Sequence, residues 1–367
     1  MKRMIFLLMI ILLCAFTKKV DEIDIYYEGE ERQKITFEPE QEIQLGAFIK
    51  EDTQIESMEQ FEKMTRKHDI YGFTTTLKEE FPMMDILECY VNQKIPLLVI
   101  QPSDRNHPFE TQYLEEAAKK VSQYRIPLLV DFYPNGEDYS NGEDYKKYYQ
   151  KAREVFRKNA PNAVFIWTMA IENIEKWKSY YPEDVDWIGL SIYENGGEQG
   201  KNIEQMLERW YAIFQKQKPL ILSQVAVSHY SEKGSKYTEK EASDEIIRLY
   251  DSLQKYPAIK AVVYRSVNLT RQGGNAVKGE NYSIVENKKV LEAYQGIKVV
   301  NQNGEWYKSF WKAYQKDGII YIPKNVVVQE VKAGYEEIVL LEGKEYVKRM
   351  IGYDIKQKQG NIFLYKQ

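Results

Sequence analysis

The chain has 367 residues, of which 43% are hydrophobic and 29% charged, an ordinary balance for a soluble protein with room for one large domain and a small one. The formal net charge of −4 offers no basic surface, so we predict no nucleic-acid partner. The 29 tyrosines and 6 tryptophans favour aromatic surfaces of the kind that suit sugar rings, although core packing accounts for many of them.

The first predicted element is an export signal over residues 1–19. Two basic residues precede an apolar run, Met4–Phe16, which is shorter than the roughly 20 residues of a spanning helix. Cys14 lies near the end of this run, as in bacterial lipoprotein signals, but Leu13 stands where those signals carry Gly, Ala or Ser. Lipid attachment at Cys14 and simple cleavage both stay open. We expect an exported protein that is either a membrane-anchored lipoprotein or secreted.

Residues 20–41 are highly charged and show no clear period, which predicts a linker. Beyond them, short β-branched or aromatic runs alternate with amphipathic segments. The runs are Ile43–Phe48, Ile70–Thr74, Pro96–Gln101, Pro127–Tyr133, Ala163–Thr168, Val185–Tyr193, Pro219–Gln224 and Ile259–Tyr264. Such runs are typical of buried parallel strands separated by helices. Over residues 42–296 they predict a (β/α)8 TIM barrel of the α/β class. A doubly wound open sheet is the alternative, and the absence of a glycine-rich phosphate loop weakens its nucleotide-binding version.

The sequence changes character near Ile297. Short strand-like runs separated by turns follow, namely Ile319–Pro323, Glu337–Lys344 and Asn361–Tyr365. Residues 297–367 are therefore predicted to form a small C-terminal β-rich (α+β) domain.

In a (β/α)8 barrel, functional side chains come from the carboxyl ends of the strands. Here those ends are aromatic and rich in amides, which predicts a sugar cleft without an obvious acid/base pair. The candidate substrate-binding residues are Tyr133, Asn135, Trp167, Tyr193, Gln224, Tyr230 and Tyr264. For Trp167 and Tyr264, packing at the barrel rim is an almost equally good interpretation. The three histidines (His68, His107 and His229) are too scattered for a metal site, and we predict no metal and no cofactor.

Three segments resemble a known family. Val164–Trp167 and Tyr180–Tyr193 resemble the fifth and sixth strands of glycoside hydrolase family 26, and Lys218–Gln224 resembles its seventh strand. That family contains β-mannanases and related endo-β-glycanases. The resemblance covers the whole predicted barrel and implies a retaining glycosidase fold with two catalytic glutamates.

The chain departs from that family at both catalytic positions. The family's acid/base lies in a His-Glu-Met-Asn-Gly motif after strand four, and Phe132–Gly136 matches this motif with Tyr133 in place of the glutamate. Its nucleophile ends strand seven, where Gln224 stands. A retaining mechanism needs two carboxyl groups about 5–5.5 Å apart. An amide is a poor nucleophile, and a phenol that titrates near 10 is a weak acid for a glycosidic oxygen.

Three other carboxylates could rebuild a catalytic pair: Asp131, Glu137 and Glu194. Structural or solvated roles are the better interpretation of each. The sequence thus favours an exported pseudo-glycosidase that binds a polysaccharide or cell-envelope glycan and touches the membrane only through its signal or lipid anchor. One alternative is an active endo-β-glycanase with displaced carboxylates. The other is a structural protein of the cell envelope or spore surface.

The C-terminal domain shows a second resemblance. Gly343–Val347, Ile351–Ile355 and Ile362–Leu364 resemble the small domain named after the copper amine oxidase N-terminus, which occurs on secreted and surface proteins of Gram-positive bacteria. For residues 297–367 the resemblance implies an adhesion or cell-wall module and, despite the name, no copper.

Overall fold

The structure is a computed structural model, and it describes residues 22–29, 34–40, 42–194, 203–231, 236–271, 279–298 and 306–367. The predicted export signal and Cys14 lie outside these residues. The chain divides into two compact units. One is continuous, Glu31–Glu305, and the other combines the chain up to Glu30 with Trp306–Gln367.

The β-strands alternate with helices over most of the chain. In chain order they are β1 (Glu22–Glu28), β2 (Gln44–Phe48), β3 (Ile70–Thr76), β4 (Ile95–Gln101), β5 (Leu128–Phe132), β6 (Ala163–Ala170), β7 (Trp187–Glu194), β8 (Leu220–Val227), β9 (Tyr230–Ser231), β10 (Lys236–Tyr237), β11 (Ile259–Arg265), β12 (Trp306–Lys316), β13 (Ile319–Pro323), β14 (Gly334–Leu341), β15 (Lys344–Ile351), β16 (Tyr353–Lys358) and β17 (Asn361–Lys366).

The α-helices of the described residues all fall within the continuous unit. They are α1 (Met58–Met64), α2 (Met83–Val91), α3 (Leu114–Gln123), α4 (Gly142–Asn159), α5 (Trp177–Tyr180), α6 (Ile203–Phe214), α7 (Glu239–Ser252) and α8 (Lys288–Gln295). In the part of the chain that the structure describes, no helix has the length and apolar character needed to cross a membrane.

The continuous unit is a (β/α)8 TIM barrel, as predicted. Strands β2 to β8 and β11 are parallel neighbours, and β11 closes the barrel against β2. One set of alternating side chains fills the interior, including Leu97, Leu129 and Ile166. The other set packs against the helices, for example Leu98 and Val130 against the layer that contains Phe61 of α1.

The predicted linker is wrong in two places. Glu22–Glu28 forms β1, because Ile23, Ile25 and Tyr27 alternate with polar residues and bury one face of the strand. Residues 34–40 belong to the barrel unit. Ile35 and Phe37 pack against its interior, and the Trp187 indole N–H donates to a backbone carbonyl between them at 3.2 Å.

The second unit is a β-rich sheet of seven strands in the order β14-β15-β13-β12-β1-β17-β16. Strand β1 is an interior strand of this sheet, antiparallel to β12 and parallel to β17. Its core is formed by one face of the sheet together with a short helical turn, Val326–Glu330. The barrel sequence is therefore inserted between two paired strands of this sheet, an arrangement that the sequence-based domain boundaries did not include.

Candidate functional site

The carboxyl end of the barrel strands, here called the mouth, collects the polar interior residues. A β-bulge in β8 helps to place them, because Leu190 lies opposite Leu222 whereas Ser191 lies opposite Gln224, so Ser223 is an extra residue. Consecutive residues of a strand normally point to opposite faces. The bulge instead turns both Ser223 and Gln224 toward the interior, which explains how β8 supplies two polar side chains in succession.

Ser223 belongs to a buried chain of hydrogen bonds that joins three strands. Its hydroxyl lies 2.9 Å from that of Thr168, which donates to Asp131 Oδ2 at 2.9 Å. Gly189 makes room for this chain, since a Cβ there would come within 2.1 Å of the Thr168 hydroxyl oxygen. Asp131 is fully buried and its Oδ1 has no hydrogen-bond partner among the described residues. Burial raises the pKa of Asp131 to about 7, against the lowering effect of the two hydroxyls.

Gln224 forms a second network, at the mouth. Its Oε1 accepts from the Tyr193 hydroxyl at 2.7 Å and from Arg265 Nη1 at 3.4 Å, and Arg265 also donates to the Tyr193 oxygen at 3.2 Å. Arg265 Nη2 donates to Glu51 at 2.6 Å. Within the described part of the chain, the Gln224 amide nitrogen donates no hydrogen bond. The side chain is only 4% exposed, so the amide is held in one orientation.

Burial and neighbouring groups shift the pKa values of Tyr193 and Arg265 in opposite directions. Burial raises the pKa of Tyr193, while the Arg265 guanidinium lowers it. Burial alone would lower the pKa of Arg265, but Tyr193 and Glu51 together raise it. Tyr193 is therefore a neutral donor and Arg265 a permanent cation at neutral pH. The network can hold an acceptor oxygen at position 224, and it has its own counter-charge in Glu51.

Tyr133 does not reach the mouth. The residue has a φ of 50°, which reverses the alternation expected from the preceding strand. Its ring stacks on Phe132 with centroids 4.5 Å apart and lies 5.3 Å from that of Tyr148 on α4. The side chain is 1% exposed, and burial raises its pKa. Tyr133, a substrate-binding candidate from the sequence, therefore packs in the helix-facing layer.

Asn135 does reach the mouth. It is the second residue of this turn with a positive φ, which is 57°. Its backbone N–H donates to the Thr168 carbonyl at 2.9 Å, and its Oδ1 accepts from the Ser191 hydroxyl at 2.9 Å. Asparagine tolerates this left-handed conformation better than most residues. The turn after β5 thus directs Tyr133 outward and Asn135 inward.

Two further aromatic candidates also face the helices. Trp167 packs edge-on against Tyr181 and Phe214, with centroids 5.1 and 5.7 Å away. The Tyr264 hydroxyl is fully buried and hydrogen-bonds the backbone of Val227. Both side chains alternate with inward-facing neighbours, so their interpretation as rim packing is the one that fits.

The remaining candidates are dispersed. Tyr230 lies in the short β9–β10 hairpin, where its ring contacts that of Tyr237 at 5.2 Å. Glu137 accepts from the Ala170 N–H at 2.9 Å, and burial raises its pKa. Glu194 ends β7, and its backbone carbonyl accepts from the Ser228 N–H.

His229 is buried. Its Nε2 lies 3.1 Å from the Ser283 carbonyl, and burial lowers its pKa. Among the described residues, no group of three or more histidine, cysteine or acidic side chains could hold a metal ion.

Arg265, Glu51 and the hydroxyl pair of Thr168 and Ser223 are not among the site residues predicted from the sequence. The position of Arg265 follows from alternation, because Ala261 and Val263 of the same strand face the interior. Glu51 lies beyond the end of β2, where strand alternation does not predict the direction of a side chain.

Comparisons with known proteins give similarities of fold. No protein-family model matches the sequence, and neither does any curated protein at a significant level. A GH113 beta-1,4-mannanase is similar at 10% identity and a TM-score of 0.49, over 70% of this chain and 99% of that chain. The endoglucanase Cel5A from the hyperthermophilic Thermotoga maritima is similar at 11% identity and a TM-score of 0.49, over 68% and 96%. Beta-glucuronidase 2 of Bacteroides uniformis matches at 11% identity and a TM-score of 0.47, over 60% and 30%. The assignment to the (β/α)8 class comes from the closed barrel itself.

Proposed function

We propose that this chain is an exported glycan-binding protein that does not hydrolyse glycosidic bonds. Its barrel would be a relative of glycoside hydrolase family 26, and the β-rich unit a module like the copper amine oxidase N-terminal domain. Export would proceed through residues 1–19, with Cys14 as the lipid anchor or the segment simply cleaved.

The Gln224 network is the observation that carries the proposal. At the position that corresponds to the family's nucleophile, an amide oxygen already accepts from Tyr193 and Arg265. An amide oxygen carries no negative charge with which to attack an anomeric carbon or to stabilise an oxocarbenium-like transition state. Its free N–H groups are hydrogen-bond donors, which suit sugar hydroxyls.

The β5 end supports the same conclusion. The residue that corresponds to the family's acid/base is a tyrosine packed between Phe132 and Tyr148, away from the mouth. A general acid must come within hydrogen-bond reach of the leaving oxygen. Tyr133 therefore fails on position as well as on pKa.

The displaced carboxylates weigh against an active glycanase. Asp131 has no exposed surface, and Glu137 is engaged by a backbone N–H. A substrate oxygen would have to enter the barrel interior to meet Asp131. We therefore assign sugar contacts to Gln224, Asn135 and Tyr193, with Arg265 as the group that orients the first and last of these.

The test is to incubate the purified protein with β-mannan, β-glucan and peptidoglycan, measuring reducing ends and retardation in affinity gels. We expect no new reducing ends and retardation by at least one glycan. Gln224→Ala should weaken that binding by about tenfold, since it removes a buried hydrogen-bonding group. Tyr133→Phe is the matched control at the other strand end and should bind normally.

Two outcomes would contradict the proposal. Turnover that disappears in Asp131→Asn, Glu137→Gln or Glu194→Gln would identify an active endo-β-glycanase with displaced carboxylates. A lack of affinity for every glycan, with the fold intact, would favour a structural protein of the cell envelope or spore surface.

A further inference from the structure

The two faces of the seven-stranded sheet differ in composition. One face covers the apolar core of the β-rich unit, with Ile25, Ile362 and Leu364 among its residues. Tyr26 and Phe363 are paired neighbours on the opposite face. The solvent side of a sheet ordinarily carries polar residues. Tyr26 is buried, at 3% exposed, but Phe363 is partly exposed, and an aromatic ring on the solvent-accessible part of this face calls for a function.

These rings form one continuous cluster. Tyr26 and Phe363 stack with centroids 5.2 Å apart. Trp306 of β12 reaches across β1, and its indole lies 5.2 Å from the Phe363 ring and 5.0 Å from the Tyr365 ring. Trp306, Phe363 and Tyr365 are all partly exposed. A ligand on this face would therefore meet an indole and a phenol side by side.

Two lysines complete the cluster at the edge of the sheet. Lys356 Nζ lies 4.7 Å from the centroid of the Tyr365 ring, and Lys358 Nζ lies 5.1 Å from it. Neither lysine forms an ion pair with any described residue. Two carboxylates of this face lie opposite residues of the cluster. Asp354 lies opposite Tyr365 and accepts from the Gln367 amide at 2.8 Å, and Glu28 lies opposite Trp306 and accepts from the Lys366 backbone N–H at 2.9 Å. The edge thus presents two ammonium groups without a counter-ion.

We propose that Trp306, Tyr365, Lys356 and Lys358, here called the lysine–aromatic patch, bind an acidic polysaccharide. The C–H faces of its sugar rings would pack against the exposed aromatic rings, and its carboxylates would pair with the two lysines. A neutral glycan would leave both ammonium groups unused. Between Trp306 and Lys358 the described residues of this face include no aliphatic side chain, which disfavours an apolar protein helix as the occupant. The patch lies wholly within the β-rich unit, so this inference does not depend on what the barrel mouth binds.

Affinity electrophoresis and calorimetry of the full chain, with polygalacturonate as the acidic probe and β-mannan as the neutral one, test the patch. We expect polygalacturonate to bind and about 0.5 M salt to weaken it, because screening is strong at that ionic strength. Lys356→Gln with Lys358→Gln should weaken binding by about tenfold, and Trp306→Ala should have a similar effect. The lysines are exposed, so their double variant should fold even if Trp306→Ala does not.

The charge-matched control is Lys332→Gln with Lys344→Gln, which removes two exposed lysines elsewhere in the same unit. This control should retain its affinity for polygalacturonate. Equal losses in the two double variants would reduce the effect to general charge attraction and overturn the site. So would a wild-type chain without affinity for polygalacturonate, or binding of that polymer that is lost in the barrel variant Gln224→Ala.

Discussion

Two strand ends of the same barrel place their side chains in different ways. At the end of β5, Tyr133 has a positive φ. Its side chain therefore lies in the helix-facing layer and not at the mouth. In β8, a bulge at Ser223 turns the Gln224 side chain inward, where Tyr193 and Arg265 hold it. In a retaining glycosidase these two positions would have to cooperate across one sugar ring.

At position 224 only the residue type differs from a carboxylate at the mouth. At position 133 the direction of the side chain differs as well. At position 224 the backbone presents a side chain to the mouth, so a single substitution can place a carboxylate there. At position 133 the backbone directs the side chain to the helix-facing layer, so no substitution at that residue alone places an acid at the mouth. The sequence pattern predicts the same kind of change at both positions, whereas in the structure only residue 224 has a backbone that directs its side chain to the mouth.

Tyr133→Glu should produce the largest effect. The new carboxyl would replace a ring that is 1% exposed and packed against Phe132 and Tyr148. We expect a loss of about 3–5 kcal/mol in the free energy of unfolding, because the charge has no partner there. Urea unfolding followed by circular dichroism measures it.

Tyr133→Phe is the control for that experiment, because it keeps the ring and removes only the hydroxyl that contacts Tyr148. It should cost about 1 kcal/mol. A Tyr133→Glu chain as stable as the wild type would mean that position 133 is open to water, and the contrast between the two strand ends would collapse.

The buried chain from Asp131 through Thr168 to Ser223 connects the same two strands, and it predicts a pH dependence of intermediate size. The pKa of Asp131 is about 7 in the folded chain, above its ordinary value of 3.8. Between these values the native state keeps a proton that the unfolded chain has lost, so stability falls as the pH rises. Urea unfolding at about pH 5 and pH 8 should show a loss on the order of 2–4 kcal/mol from this group.

Asp131→Asn isolates this contribution, because the amide is nearly isosteric and does not titrate. Its stability should fall less between the two pH values than that of the wild type. His68, whose pKa burial lowers to about 4, contributes stability that rises with pH, but it does so in both chains. Equal slopes in the two chains would show that Asp131 is already ionised in the native state at neutral pH.

The barrel itself could be predicted from the sequence because its signal is repeated. All eight apolar runs became barrel strands, since each is buried on both faces and needs only a run of β-branched and aromatic residues. Strand β1 could not be recognised in the same way. Its pattern is a single alternation of Ile23, Ile25 and Tyr27 among polar residues. Its partners, β12 and β17, lie roughly 280 and 340 residues further along the chain.

The site was predicted less completely than the fold. Alternation along strands correctly places Asp131 in the interior, but one positive φ at Tyr133 breaks the rule at the next inward position. The bulge at Ser223 also breaks the alternation, because it turns the Gln224 side chain inward where alternation would place it outward. Both departures are local backbone events that depend on tertiary packing, so residue types alone do not encode them.

Gln224→Glu should have the smallest effect on stability. A carboxylate there would accept the same bonds from Tyr193 and Arg265, and the stronger pairing with the cation would offset the cost of burying the charge. We therefore expect a change within about 1 kcal/mol in urea unfolding. Gln224→Ala should cost about 1–3 kcal/mol, because it leaves the Tyr193 hydroxyl and Arg265 without their acceptor.

Activity assays on the same Gln224→Glu chain probe the β5 end indirectly. With a carboxylate at position 224 but Tyr133 still in the helix-facing layer, residue 133 cannot protonate the leaving oxygen of a glycoside. Measurement of reducing ends should detect no turnover of glycans that the protein binds. Hydrolysis by this single variant would mean that a different acid serves the β5 side of the mouth. In that case Gln224 alone would separate this barrel from an active enzyme.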